Sequence, residues 1–306
     1  YCGNLRIPNT SLSIPFGLIS RPRNLVISFL DLVGASAGMA EQQYKMASNW
    51  DDLSARATSA VVMVVVGIFG VVAGGIWFQM LVVLASAVMI WELWSMIAPQ
   101  RTTAAALLSA LASTVMSAQL VDAGTSFALL FLIVPVIGAL LLKKMRYTFL
   151  LYGLVIMVAG YALIHFRNEF GALWIVWMLL VVIASDVLGY FAGRSFGGPK
   201  FWPAISPKKT WSGTVAGWIG AGVIGLIFAI FTDAGLILVP LSMLLSFAGQ
   251  MGDIAESAIK RRTGIKDSST LIPGHGGFLD RFDALLGVAL VMFIAASVFD
   301  LSGVAF

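Results

Sequence analysis

An all-α, polytopic integral membrane protein with about nine transmembrane helices is the fold class that three observations predict. First, only 11% of the 306 residues are charged while 59% are hydrophobic, and the mean hydropathy is +0.94. A soluble chain carries about a quarter charged residues, enough for a polar skin. This chain lacks them, so lipid must be the solvent for most of its surface. Second, apolar runs of about twenty residues recur from residue 57 onward. Third, the basic residues gather in alternate connections between those runs.

The spans read as 57–75, 76–97, 103–121, 126–142, 147–165, 170–193, 211–231, 236–258 and 282–304. The third, rich in Ala and Ser, is the weakest. Trp91 and Trp94 sit near one end of the second as interfacial anchors. Loops two-three, four-five, six-seven and eight-nine hold thirteen Lys and Arg residues, while the remaining loops hold only Arg167. That asymmetry predicts a cytoplasmic amino terminus, and it supports the third span, whose removal would scramble the pattern. Residues 1–50, with Pro8, Pro15, Pro22, Arg21 and Arg23, contain no run long enough to span. They read as a poorly ordered leader or upstream extension, with a start expected at Met39 or Met46. Residues 51–306 read as one membrane-embedded domain.

Two histidines and the lone Cys2 provide too few ligands for a zinc site. A catalytic metal would need oxygen ligands, which points to magnesium-like chemistry. Ionisable residues inside spans are costly and usually functional. Here they come late: Asp186, Asp253, Glu256, Asp280 and Asp283. Glu92 in span two reads instead as an interfacial carboxyl beside its tryptophans. Asp122 and Asp300 fall at the opposite membrane face.

Along an α-helix, Asp253, Glu256, Ser257 and Lys260 share one arc of roughly 100°. A Glu256–Lys260 pair at i,i+4 accounts for part of that stripe, but Asp253 sits deeper and wants a cation. The run Pro273-Gly274-His275-Gly276-Gly277 reads as a loop whose backbone amides approach an anion. Asp280 and Asp283 come next at i,i+3 as metal-binding carboxylates, with Arg281 as a phosphate partner. Ser206-Pro207-Lys208-Lys209-Thr210 precedes a helix expected to start near Trp211, and a helix amino terminus flanked by lysines favours phosphate. Gly213, Gly217, Ala221 and Gly225 recur at four-residue spacing and read as a close-packing stripe. Acidic ligands, cations and glycines at one membrane face suggest phosphoryl or nucleotidyl transfer.

Ser257-x-x-Lys260-Arg261, Lys266-Asp267 and Pro273-x-His275-Gly276-Gly277-x-x-Asp280-Arg281-x-Asp283 match the phosphatidate cytidylyltransferase signature. The Ser206–Thr210 and Asp186–Arg194 blocks also look like that family's, and the resemblance covers roughly residues 50 to 306. The sequence departs from the family at Ser212, where Glu is usual. The resemblance implies a multi-span fold, often a homodimer, that makes CDP-diacylglycerol and pyrophosphate from CTP and phosphatidic acid with Mg2+ and a second cation. It implies Asp253 and Asp280 as metal ligands, with Asp283 beside them, and Ser257 and Lys260 as signature catalytic residues. Substrate binding falls to Ser206, Lys208, Lys209, Thr210, Lys266, His275, Gly276, Gly277 and Arg281, with the match of each lysine to a phosphate left open. The expected location is the inner (plasma) membrane, with the site facing the cytoplasm.

Two other classes fit less well. A transporter would place its acids at the midplane and show related halves, neither of which the sequence has. The long aspartate signature of CDP-alcohol phosphotransferases is absent. A cysteine introduced at Ser268 should react with impermeant thiol reagents only from the cytoplasm; labelling of intact cells from outside would overturn the orientation.

Overall fold

The computed structural model describes residue 54 and residues 56–121 and 125–298. The chain divides into two units, Tyr1–Ser54 and Ala55–Phe306. The expected leader lies outside the described residues, and every helix named here belongs to the second unit.

Among its described residues that unit is helices joined by loops, with one small hairpin. The helices are α1 Arg56–Ala73, α2 Gly75–Ile97, α3 Thr102–Val121, α4 Ile133–Leu141, α5 Arg146–Glu169, α6 Ala172–Phe196, α7 Trp211–Phe231, α8 Leu238–Thr263 and α9 Leu279–Val298. Seven of them among the described residues are long and apolar enough to cross a membrane. The expected third and fourth spans supply shorter apolar helices, Thr102–Ala118 and Leu129–Leu141. The third is thinned by Thr, Ser and Gln. The fourth begins as a 3₁₀ helix, Thr125–Leu132, before continuing as α4.

Exposed Val, Leu, Ile and Phe side chains cover the outside, including Leu140, Phe196 and Phe231 at 80–82% exposure. That surface is what lipid-facing helices require. Successive helices α6 to α9 pack in chain order, and α9 returns to α5 and α2. An aromatic core of Trp94, Phe149, Trp174 and Trp177, each no more than 1% exposed, holds the other half.

Helix α8 runs on to Thr263, past its expected end at residue 258, so Lys260 to Arg262 stand on the helix rather than in a loop. Their charges lie in its last turn, where they complement the helix dipole, and Gly264 closes it at φ +76°. Upstream, antiparallel strands β1 Lys200–Trp202 and β2 Ser206–Thr210 form the hairpin that delivers the lysine block to α7. α7 begins at Trp211 as expected, with the Thr210 hydroxyl accepting from Gly213 N at 3.3 Å as its N-cap.

The small-residue stripe of α7 lets polar groups meet inside the bundle. Gln250 donates to Ser185 Oγ (3.3 Å) and to Thr214 O (3.2 Å), while Trp218 Nε1 donates to Gln250 Oε1 (3.0 Å). Ser246 Oγ donates to Ser185 Oγ at 2.8 Å. A Cβ on Gly217 would lie 2.7 Å from Gln250 Nε2 and 2.9 Å from Ser185 Oγ. Gly217→Leu should therefore cost about 1–3 kcal/mol through overpacking, read as a lower melting temperature of detergent-solubilised protein. An unchanged melting point would show that the α6–α7–α8 contact is loose.

Candidate active site

The cytoplasmic ends expected for α6 to α9 carry one continuous polar system. It starts at a cavity of about 470 Å³ lined by Asp186 and Arg194 of α6, Lys208 and Lys209 of β2, Gly213 of α7 and Gln250 of α8. Gly189, Gly193 and Gly213 let α6 and α7 approach closely along its wall. Lys209 Nζ leaves the hairpin to meet Asp253 Oδ2 at 2.5 Å and the Gln250 carbonyl at 3.3 Å. The lysine block thus gives Asp253 one cationic partner from within the chain. Ser257 Oγ donates to the other Asp253 oxygen at 3.3 Å.

One turn on, Lys260 Nζ sits 2.7 Å from Glu256 Oε2 and 2.7 Å from Asp280 Oδ1. The i,i+4 pair read from the stripe is present, and Lys260 also ties α8 to α9. Asp280 accepts the amides of Ser268 (3.0 Å) and Gly277 (2.8 Å). Asp283 lies within electrostatic range of Asp253, Glu256 and Lys260 and accepts from the adjacent Ala284 N at 2.7 Å. Asp253, Glu256 and Asp280 therefore share two ammonium groups, those of Lys209 and Lys260.

The glycine loop and the residues beside it are already bonded within the chain: His275 N and Gly276 N donate to the Ile272 carbonyl, and Gly277 N, like the amides of Ser268, Phe278 and Leu279, donates to a carboxylate. Asp280 holds Ser268 N and Gly277 N, while Glu92 holds Phe278 N at 2.8 Å and Leu279 N at 2.6 Å. Gly276, at φ +87°, turns the chain where an L side chain would be strained. A Cβ on Gly277 would lie 2.8 Å from Glu92 Oε1. Arg281 is exposed, its Nε donating to His275 O at 3.1 Å and its Nη2 donating to the same oxygen. His275 Nδ1 meets Ser59 Oγ of α1 at 2.7 Å. Lys266 is exposed and Ser206 half-buried, and neither lines the cavity.

Glu92 is the residue that sequence reasoning missed. It is 0% exposed and also accepts from Ser269 Oγ (2.5 Å) and Ser268 Oγ (3.3 Å). The signal was there in a lone acid within an apolar span, but its partners lie far along the chain. Ser268 is correspondingly buried, so exposed Thr270 is the better position for topology labelling.

The donor set suits a hard cation. It is all oxygen, the carboxylates outnumber the ammonium groups, and Glu256 Oε1 is buried without a hydrogen-bond donor. Among the described residues no three His, Cys, Asp or Glu side chains converge as a ready ligand set. Mg2+ commonly uses only one or two protein carboxylates, completed by water and phosphate, so the residues fit it.

Replacing Glu92 by Gln keeps the shape but turns an NH2 toward amide donors. Glu92→Gln should cost at least about 2 kcal/mol and accelerate hydrogen exchange at Phe278 and Leu279. Unchanged exchange there would show that another element holds the loop.

The profile of the Cytidylyltransferase family matches residues 54–299. The phosphatidate cytidylyltransferase of Brucella abortus biovar 1 (strain 9-941) is 43% identical over 140 residues, 45% of this chain and 52% of that protein. The enzyme of the same name from Bacillus subtilis (strain 168) is 35% identical over 182 residues, covering 56% of this chain and 68% of the relative. That of Staphylococcus aureus (strain COL) is 36% identical over 162 residues, 50% and 62%. The chain spans about half the length of the Brucella relatives it matches. With the family profile extending across every described helix, this chain belongs to the cytidylyltransferase family.

Proposed function

We propose that the chain transfers a cytidylyl group from CTP to phosphatidic acid, giving CDP-diacylglycerol and pyrophosphate at the cytoplasmic face of the inner membrane. The observation that carries this reading is the linkage of a lysine-lined cavity to the signature carboxylates through the 2.5 Å Lys209–Asp253 pair. The relatives' names support the substrates. The charge asymmetry of the loops supports the orientation.

A phosphate oxygen of phosphatidic acid attacks the α-phosphorus of CTP. A new P–O bond forms as the bond to pyrophosphate breaks. The nucleophile is already anionic, so the site needs no strong base; its task is to bring two polyanions together. Arg194, Lys208 and Lys209 face the cavity and suit the CTP tail. Lys260, held between Glu256 and Asp280, keeps its ammonium at a fixed position beside the reacting groups. Ser257 orients Asp253. Mg2+, held by Asp253 with Asp280 and Asp283 close by, would neutralise phosphate charge and align the groups. Asp280 also has a structural duty, since it fastens the glycine loop whether or not a metal is bound.

Asp253→Asn and Asp280→Asn should each lower CTP-dependent pyrophosphate release with phosphatidic acid by about a hundredfold or more. The double variant should be little worse than either, because the residues act as a unit. Asp122 and Asp300 lie outside the described residues, so exposed Asp233 at the far end of α7 is the control, and its Asn variant should retain activity. Near-normal turnover of a folded Asp253→Asn protein at ordinary magnesium would remove Asp253 from the mechanism.

A further inference from the structure

The acidic cluster occupies one face of α9, and the opposite face lines a second cavity of about 250 Å³ bounded by α1, α2, α5 and α6. Phe278 and Phe282, stacked at 4.4 Å between ring centroids, form its wall at the signature end. Ser86 is the one hydroxyl among its described lining residues. A single polar partner does not hold water, so the natural filler is hydrocarbon. Val62 and Val66 of α1 line the cavity yet are 54% and 44% exposed, so it is not sealed from the bilayer.

Basic side chains stand beyond its signature end. One helical turn before Val62 and Met63 stands Ser59, which meets His275 Nδ1 at 2.7 Å. Arg281 bonds the His275 carbonyl at 3.1 Å, and Arg56 packs where a Cβ on Gly274 would fall. At the far end, Arg167 Nε donates to Val71 O at 2.8 Å and pins the α1–α2 corner. From Ser59 to Val71 the groove follows α1 for about 18 Å, roughly one leaflet of hydrocarbon.

We propose that this groove takes one acyl chain of phosphatidic acid, with the lipid phosphate at Arg56, His275 and Arg281. The assignment rests on the function proposed above and adds to it: CTP occupies the α6–α8 side of the site, while the lipid enters from the α1–α9 side. The two meet at the amino terminus of α9. The glycine loop then serves both faces, bound through Asp280 to one and through His275 to the other.

Gly67 lines the groove, and a Cβ there would meet nothing within 4 Å. Gly67→Leu fills the space without a backbone clash, and Leu is the better helix former. It should lower kcat/KM for dioleoyl phosphatidic acid by about tenfold, as a misfit in an apolar pocket does, while activity on the dihexanoyl lipid stays near wild type. Val61→Leu, on the exposed face of α1, should change neither. Equal loss on both lipids, or no loss on either, would overturn the proposal. As a second readout independent of turnover, phosphatidic acid carrying a diazirine at the chain terminus should label α1, α2 or α9 in the wild-type protein. Unlabelled phosphatidic acid should displace it, and phosphatidylcholine or phosphatidylglycerol should not. Displacement by all three would make the groove a site for bulk lipid and refute the assignment. If the wild-type protein released no pyrophosphate with either lipid, the proposed reaction would fail, and the labelling result would still decide the groove.

Discussion

Glu92 places a carboxylate inside an apolar bundle, where an uncompensated charge would be prohibitive. The compensation comes from the other end of the chain: two backbone amides and two serine hydroxyls of the segment 268–279. This constraint shapes the whole junction between α8 and α9. The two amides are those of Phe278 and Leu279, at the start of α9, so the contact caps that helix while fixing the loop before it. Gly277 is required beside it, because a Cβ there would run into the Ser268 hydroxyl and lie 2.8 Å from the Glu92 carboxylate.

Asp280 answers Glu92 from the same loop. One carboxylate grips the loop from α2 and the other from α9, and between them they take the amides of Ser268, Gly277, Phe278 and Leu279. The arrangement resembles an anion-binding loop already occupied by its own anions. Its consequence is rigidity at the junction of α8 and α9, where preorganisation of charged groups matters most to the chemistry proposed. Lys260 extends the system by joining Asp280 to Glu256, and Lys209 extends it again by joining the hairpin to Asp253. Each cation lies between elements rather than within one, so helix packing and site electrostatics cannot vary independently.

The two cavities flank this rigid junction and differ in chemistry. One is lined by lysines, an arginine and helix-packing glycines and opens beside α6 and α7. The other is apolar and lies beside α1 and α2. The proposed reaction, which joins a water-soluble nucleotide to a membrane lipid, suits such a division.

Much of the molecule was legible in the sequence, because it depends on local composition and period. Apolar length marked nine spans, and all nine are helical, since backbone groups in lipid leave no alternative to a helix; seven are long and apolar enough to cross a membrane and two are shorter. Asp253, Glu256, Ser257 and Lys260 share a face because helical period puts them there. The start of α7 at Trp211 was legible from Thr210 and the lysine block before it. What only the tertiary structure decided is which partner each charge takes. Lys209 is separated from Asp253 by an entire span, and Glu92 from Phe278 by most of the chain, so no spacing rule could join them. The same holds for the loop amides: glycines announce that a backbone approaches an anion, but only packing shows that the anion is the protein's own.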